Sequence, residues 1–293
     1  MLPYSGQISY NDIRNEFGGG ISNFDLQNAF GGTYGPLNPY SYIQPIDPGG
    51  ANYSPSDWYG YDGLGWVTSN LFLLWDAWPV VGSYPGFGTS ITNGAGVPPY
   101  DGTLYNGTSW NGAIAGGTFE TDGIDDYIGV NTGFGITDFS WDLWVYYIGG
   151  FNYGNMGGLA TYNIDDPCQN MFLIHPNGVG ASATIGFYVD NCITGNSGVS
   201  TSSALSSGTW YNLAGTYDST NIKIYVNGTL SNSSSGGAGP NNNPNPTLIL
   251  GGDPRYDFRR SNARFPVFRM YDTALTAGQV AQNWNATRGR FGL

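Results

Sequence analysis

An all-β, antiparallel fold is predicted for this 293-residue chain on three observations. Between Gly208 and Leu230 the side chains alternate. Tyr211, Leu213 and Tyr217 are set against Asn212 and Thr216; after a polar break at 218–221, Ile222, Ile224 and Val226 are set against Lys223 and Tyr225. A period of two is that of a strand with one buried face. Second, Asn227-Gly228 tolerates positive φ at both central positions of a type I′ turn, so a third strand should return from Thr229 and complete a meander. Third, 47 glycines and 16% aromatics against only 10% charged residues favour many short strands joined by tight turns.

The same words resemble the laminin G-like, concanavalin A-like jelly-roll family, in which Gly208-x-Trp210-x-x-Leu213-Ala214 leads to Tyr217-Asp218 and then to the hairpin Tyr225-Val226-Asn227-Gly228. Asp122-Gly123-Ile124-Asp125-Asp126-Tyr127-Ile128 is similar to the family's Asp-Gly-x-Asp-Asp-Tyr element, and Phe268 to Thr276 to its closing strand. The resemblance implies a jelly-roll β-sandwich over 66–293, with the last strand beside the first, so that Leu71, Leu73 and Trp75 neighbour Phe268 and Met270. There are two departures from the family pattern: Thr121 stands in place of an aromatic, and Phe265-Pro266 in place of acidic residues.

Residues 1–65 read as a separate, small N-terminal anchor. Ile8 to Gly19 recurs as Ile21 to Gly32 with seven of twelve positions identical. Each copy has Ser three residues before Asp, an apolar pair at i and i+4 (Ile13 with Phe17, Leu26 with Phe30) and a glycine stop, which predicts two short helices. Helices this short are marginal alone and need a partner surface, so Ile8, Ile13, Phe17, Ile21, Leu26 and Phe30 are the candidate docking residues. The Pro/Tyr/Gly-rich stretch 35–61 reads as an ordered connector. Leu2-Pro3-x-Ser5-Gly6-Gln7-Ile8-Ser9 and Trp58-Tyr59-Gly60-Tyr61 resemble the N-terminal module of virion structural proteins from marine tailed, cyanophage-like bacteriophages, and Asn283 to Leu293 resembles the tail of laminin G-like proteins from such viruses. Thr276-Ala277-Gly278-Gln279 is a capping box that should start a short final helix, with Val280 and Trp284 as an apolar pair.

Cys168 and Cys192 flank the strands expected at Met171–His175 and Ile185–Val189, where a disulfide would close a loop of about 25 residues and contribute roughly 3 kcal/mol. Assembly in a cytoplasm would instead keep two thiols reduced. The N-terminus shows neither a basic start nor an apolar run, so no secretory signal is expected. The most apolar stretch, 70–82, is cut by Asp76 and Pro79 and falls short of the about 20 residues of a membrane span. These features fit a protein assembled in a host cytoplasm and exposed after release within a virion.

Charge is divided along the chain. In the last 39 residues seven arginines oppose two aspartates, a net +5, which leaves −17 on the rest and makes nucleic acid an unexpected partner. Arg255, Arg259, Arg260 and Arg264 either pair with aspartates of the same domain or dock an acidic protomer or a carboxylated glycan. Hydrolysis by two opposed carboxylates is not expected, because Glu16 and Glu120 are the only glutamates and no closely spaced Glu-x-Asp-x-Glu array can be written. His175, the only histidine, excludes a multi-histidine zinc site and reads as structural. Asp122, Asp125 and Asp126 offer hard oxygen ligands for calcium, or Asp122 and Asp126 cap their own turn. The expected function is therefore nonenzymatic: a phage virion fibre, adhesin or decoration module, partnered by capsid, neck or tail proteins or by further copies of itself, and displayed toward host surface glycan. Cement between virion subunits and a secreted bacterial carbohydrate-binding protein are the alternatives.

Overall fold

The alternating stretch folds as its periodicity requires. In a computed structural model of the protein, which describes residues 13–14, 65–97, 100–131, 137–151, 157–160, 170–190, 196–236, 247–253 and 256–293, it forms three antiparallel strands. With all strands numbered in chain order these are β14 (Trp210–Tyr217), β15 (Asn221–Val226) and β16 (Thr229–Ser235). Asn227 and Gly228 take φ of 51° and 75°, the left-handed pair that a type I′ turn needs. The turn before β15 is held by Asp218, whose Oδ1 accepts the backbone N–H of Thr220 and Asn221 at 3.0 and 2.6 Å. Burial pushes this carboxyl up, but the hydrogen bonds from Asn221 and Thr220 outweigh it and leave it below the usual carboxylate range.

The meander is one wing of an eight-stranded antiparallel sheet ordered β16-β15-β14-β7 (Phe139–Tyr147)-β20 (Asn262–Tyr271)-β5 (Thr118–Asp122)-β4 (Ser109–Asn111). The expected closure of last strand on first is present. β1 (Leu71–Asp76) pairs with the C-terminal half of β20, setting Leu73 opposite Met270 and Trp75 opposite Phe268, while β5 takes the N-terminal half. The second sheet, also of eight strands, runs β12 (Asn196–Ser200)-β11 (Ile185–Asp190)-β9 (Asn170–Pro176)-β8 (Gly157–Ala160)-β17 (Thr247–Leu250)-β6 (Tyr127–Asn131)-β3 (Gly102–Tyr105)-β2 (Ser90–Ile91). Two short ribbons, β10 (Ser182–Ala183) with β13 (Leu205–Ser206) and β18 (Gly252–Asp253) with β19 (Tyr256–Arg260), complete the described strands.

The sheets form a sandwich. Phe139, Trp141, Leu143, Val145 and Tyr147 point inward from β7 and share one core with Phe172 and Ile174 of β9 and Ile185, Phe187 and Val189 of β11. Trp141 meets Phe187 edge-on at 5.3 Å, and Phe139 meets Phe172 at 5.2 Å. Each such side chain contributes about 1.5–3 kcal/mol when fully withdrawn from water. A bulge interrupts β20 between Arg264 and Val267. Pro266, which has no N–H to donate to a ladder, falls inside it. The extra residue lets Arg264 and Arg269 project from the same outward face although they stand five apart. That face is buried further along, where Arg269 and Asp142 form a fully buried ion pair.

The contacts divide the chain into two compact units, Thr68–Val280 and a second that joins Met1–Val67 to Ala281–Leu293. In the first unit, Thr276 and Gln279 exchange the reciprocal capping-box hydrogen bonds, Gln279 Oε1 accepting at 2.9 Å and Thr276 Oγ1 at 3.3 Å. They start α1 (Ala277–Thr287) as expected. In the second unit, Gln282 donates to the Gly65 carbonyl and Asn283 Oδ1 accepts the Val67 N–H. Ile13 is helical and fully buried; Ile8, Phe17, Ile21, Leu26, Phe30 and both predicted helices otherwise lie outside the described residues, as do Cys168, Cys192 and Arg255. Among the described residues no helix is long and apolar enough to cross a membrane.

Candidate functional site

The Asp122–Asp126 segment is the loop between β5 and β6, and its carboxylates first serve the loop itself. Asp122 Oδ1 accepts the Ile124 N–H at 2.8 Å, and Asp126 Oδ2 accepts the Asp122 N–H at 3.1 Å. Gly123, at φ 80°, supplies the left-handed bend, and a Cβ there would press on Asn262. One oxygen from each of Asp122, Asp125 and Asp126 lies within 4.8 Å of the others. Burial, then the Asp122 charge, holds the Asp126 carboxyl above the usual carboxylate range, against a lowering hydrogen bond from the Asp122 backbone. Ionising Asp126 therefore costs stability as pH rises through that range.

This loop forms one wall of an open cleft of about 400 Å³. Asn106, Gly107 and Ser109 come from the β3–β4 turn and strand β4, Glu120 from β5, Asn262 from β20 and Ile148 from the end of β7. Asn106 and Gly107 both take positive φ, 59° and 121°, and the Asn106 amide ties this turn to the acidic loop by donating to the Asp125 carbonyl at 3.0 Å. Thr121 anchors the floor: its hydroxyl donates to the Ser261 carbonyl at 2.5 Å, and its methyl packs near Gly251, where φ is 84°. The lining thus offers carboxylates, amides and a hydroxyl around an accessible volume, a set suited to a polyhydroxylated ligand.

The profile of the concanavalin A-like lectin/glucanases superfamily matches residues 122–281, from the acidic loop into α1. The chain belongs to this superfamily. Solved structures share the superfamily's sandwich with it at low identity. Domain 4 of AbnA, a GH43 extracellular arabinanase from Geobacillus stearothermophilus solved in complex with arabinotriose, superposes with a TM-score of 0.56 at 18% identity, covering 73% of this chain and 98% of that one. The binding domain of Paraclostridial Mosquitocidal Protein 1 gives 0.54 at 16%, over 75% of this chain and 52% of that one. The binding domain of botulinum neurotoxin DC, solved in complex with SialylT, gives 0.52 at 12%, over 75% and 52%. This chain therefore spans about half the length of each toxin chain. No curated protein matches the chain.

Within the superfamily framework, one oxygen from each member of the acidic triad comes together with the others, and two of the candidate arginines make contacts inside the sandwich. Arg260 is buried over the Tyr127 ring at 4.7 Å, and Arg264 pairs with Glu120 at 2.8 Å. Of the two roles open to these arginines, Arg264 takes pairing with an acidic residue of its own unit. His175 stacks on Tyr188 at 5.0 Å and 9°, a structural use of the single histidine. The cleft residues that sequence reasoning missed are Asn106, Ser109, Glu120 and Asn262. Asn106-Gly107 was visible as a tight-turn dipeptide, but nothing local brings Asn262 to a loop some 140 positions earlier.

Proposed function

We propose that the Thr68–Val280 sandwich is a carbohydrate-binding module that takes a glycan into the cleft between Asn106, Glu120, Asp126 and Asn262 without hydrolysing it. The observation that carries this reading is the cleft itself: open, about 400 Å³, and lined by hydrogen-bonding groups fixed on sheet strands and on a cross-braced loop. Structures of the same fold crystallised with arabinotriose and with SialylT support it. Hydrolysis is not proposed. Glu120 is engaged by Arg264, while Asp122 and Asp126 each spend an oxygen on the backbone of their own loop.

Calcium is the metal that Asp122, Asp125 and Asp126 would hold, through the carboxylate oxygens left over from the loop's own hydrogen bonds. Burial first and the Asp122 charge second raise the Asp126 carboxyl, and a bound cation would offset the second of these. Millimolar calcium at pH 7 is expected to raise the melting temperature of the wild type over a chelator control and to leave Asp126→Asn unmoved. An equal response in the variant would remove the metal from this loop.

The module's place is a virion, where residues 1–65 dock on capsid, neck or tail proteins and the sandwich faces the host. The thirteen-residue repeat and the opening words of the chain support this part. Capture of the full chain by host cells and by disassembled virions, each with free oligosaccharide as competitor, tests both parts together. Competition at cells alone is the expected result. A chain that captures virions and ignores cells and sugars would instead be a cement between subunits.

A further inference from the structure

The geometry points to a second sugar subsite, formed by Tyr146 and Trp210 on the outward face of the first sheet, that makes the ligand an uncharged oligosaccharide running from the cleft across four strands. This rests on the glycan reading of the cleft and extends it.

Strand register places Ser109, Glu120, Arg264, Tyr146 and Trp210 side by side in one row across five adjacent strands. Their neighbours along each strand point the other way: Phe119, Ala263, Phe265, Val145 and Tyr147 all lie in the core. Ser109 and Glu120 already line the cleft, so the row begins inside it. Arg264 Nε donates to Glu120 Oε1 at 2.8 Å, and the Arg264 guanidinium lies 4.9 Å from the Tyr146 ring centre. Tyr146 meets Trp210 at 5.2 Å with the rings tilted by 54°. The salt-bridge side chains are 22% and 23% exposed, and Tyr146 and Trp210 are also half-buried, so the row is held in place by its own contacts yet open to solvent.

The chemistry of the row matches a sugar chain in two respects. Aromatic rings with a polar edge offer apolar surface to pyranose C–H groups, while a fixed Arg–Glu pair supplies donors and an acceptor for neighbouring hydroxyls. From Glu120 to Trp210 the row crosses three strand spacings, about 14 Å, the span of a short oligosaccharide rather than of one sugar. Charge decides the class. Glu120 offsets Arg264, and the adjoining loop adds the three carboxylates of Asp122, Asp125 and Asp126, which outnumber the two charges of a calcium ion held there, so a carboxylated glycan would meet net negative charge.

Calorimetry on the full chain tests this with arabinotriose, maltotriose and cellotriose, their monosaccharides, and sialyllactose as probes. At least one neutral trisaccharide should bind about tenfold more tightly than its monosaccharide and than sialyllactose, which is about 1.4 kcal/mol. Trp210→Ala and Tyr146→Ala should bring the trisaccharide-to-monosaccharide ratio close to one. Trp210→Phe, which keeps a ring in the same packing, should lower it less and guards against a variant that fails to fold. Folded variants that keep the full ratio, or a preference for sialyllactose, would overturn the subsite and leave the cleft standing. Binding of none of these probes by the wild type would overturn both.

Discussion

Arg269→Ala is expected to destabilise the sandwich by about 3–5 kcal/mol, the usual cost of removing one partner from a buried ion pair. Arg269 Nη1 stands 3.3 Å from Asp142 Oδ1, and both side chains are fully buried. Asn212 Nδ2 donates to the same Asp142 oxygen at 2.9 Å, so three adjacent strands are tied by one polar group. The loss comes from the charge left on Asp142 without its cation in a poorly solvated site, more than from the attraction itself. Asp142→Asn with Arg269→Met should consequently cost much less than the two single changes added together. Urea unfolding of the four proteins checks this; additive losses would mean that the pair is not coupled.

Gly215→Ala is expected to cost about 2–3 kcal/mol, far above the cost of an alanine in an open strand. Gly215 lies directly opposite Trp141 in the β14–β7 ladder, and a Cβ there would fall well inside van der Waals contact distance of indole Nε1 and Cε2. Trp141 cannot yield easily, being fully buried and set edge-on against Phe187. The glycine is a packing requirement of its neighbour. Trp141→Phe should accordingly recover part of the loss caused by Gly215→Ala, and thermal melts of the pair would show it. Equal melting temperatures for wild type and Gly215→Ala would mean that the indole moves without cost.

Much of the sheet architecture was legible because it is local. The period of two in 210–226, the Asn227-Gly228 turn and the Thr276–Gln279 cap each place their determinants within a few residues, and all three form. The pairing of Leu73 and Trp75 with Met270 and Phe268 was legible only through family resemblance. The site was legible in part. Its acidic loop is a continuous motif, whereas the opposite wall and the Glu120–Arg264–Tyr146–Trp210 row exist only through register between strands far apart in sequence. Burial was the other hidden variable. Periodicity would assign the outward positions of β7 to solvent, yet Asp142 and Trp144 are fully buried there. The Arg264–Val267 bulge also breaks any count of alternation along β20.

The most direct test of the glycan reading is residue-resolved amide chemical-shift mapping during titration of the full chain with the tightest-binding neutral trisaccharide. Saturable shifts concentrated at Asn106, Gly107, Ser109, Asp126 and Asn262 are the predicted result. Saturable shifts confined to residues distant from this cleft, such as the β15–β16 hairpin, would contradict it.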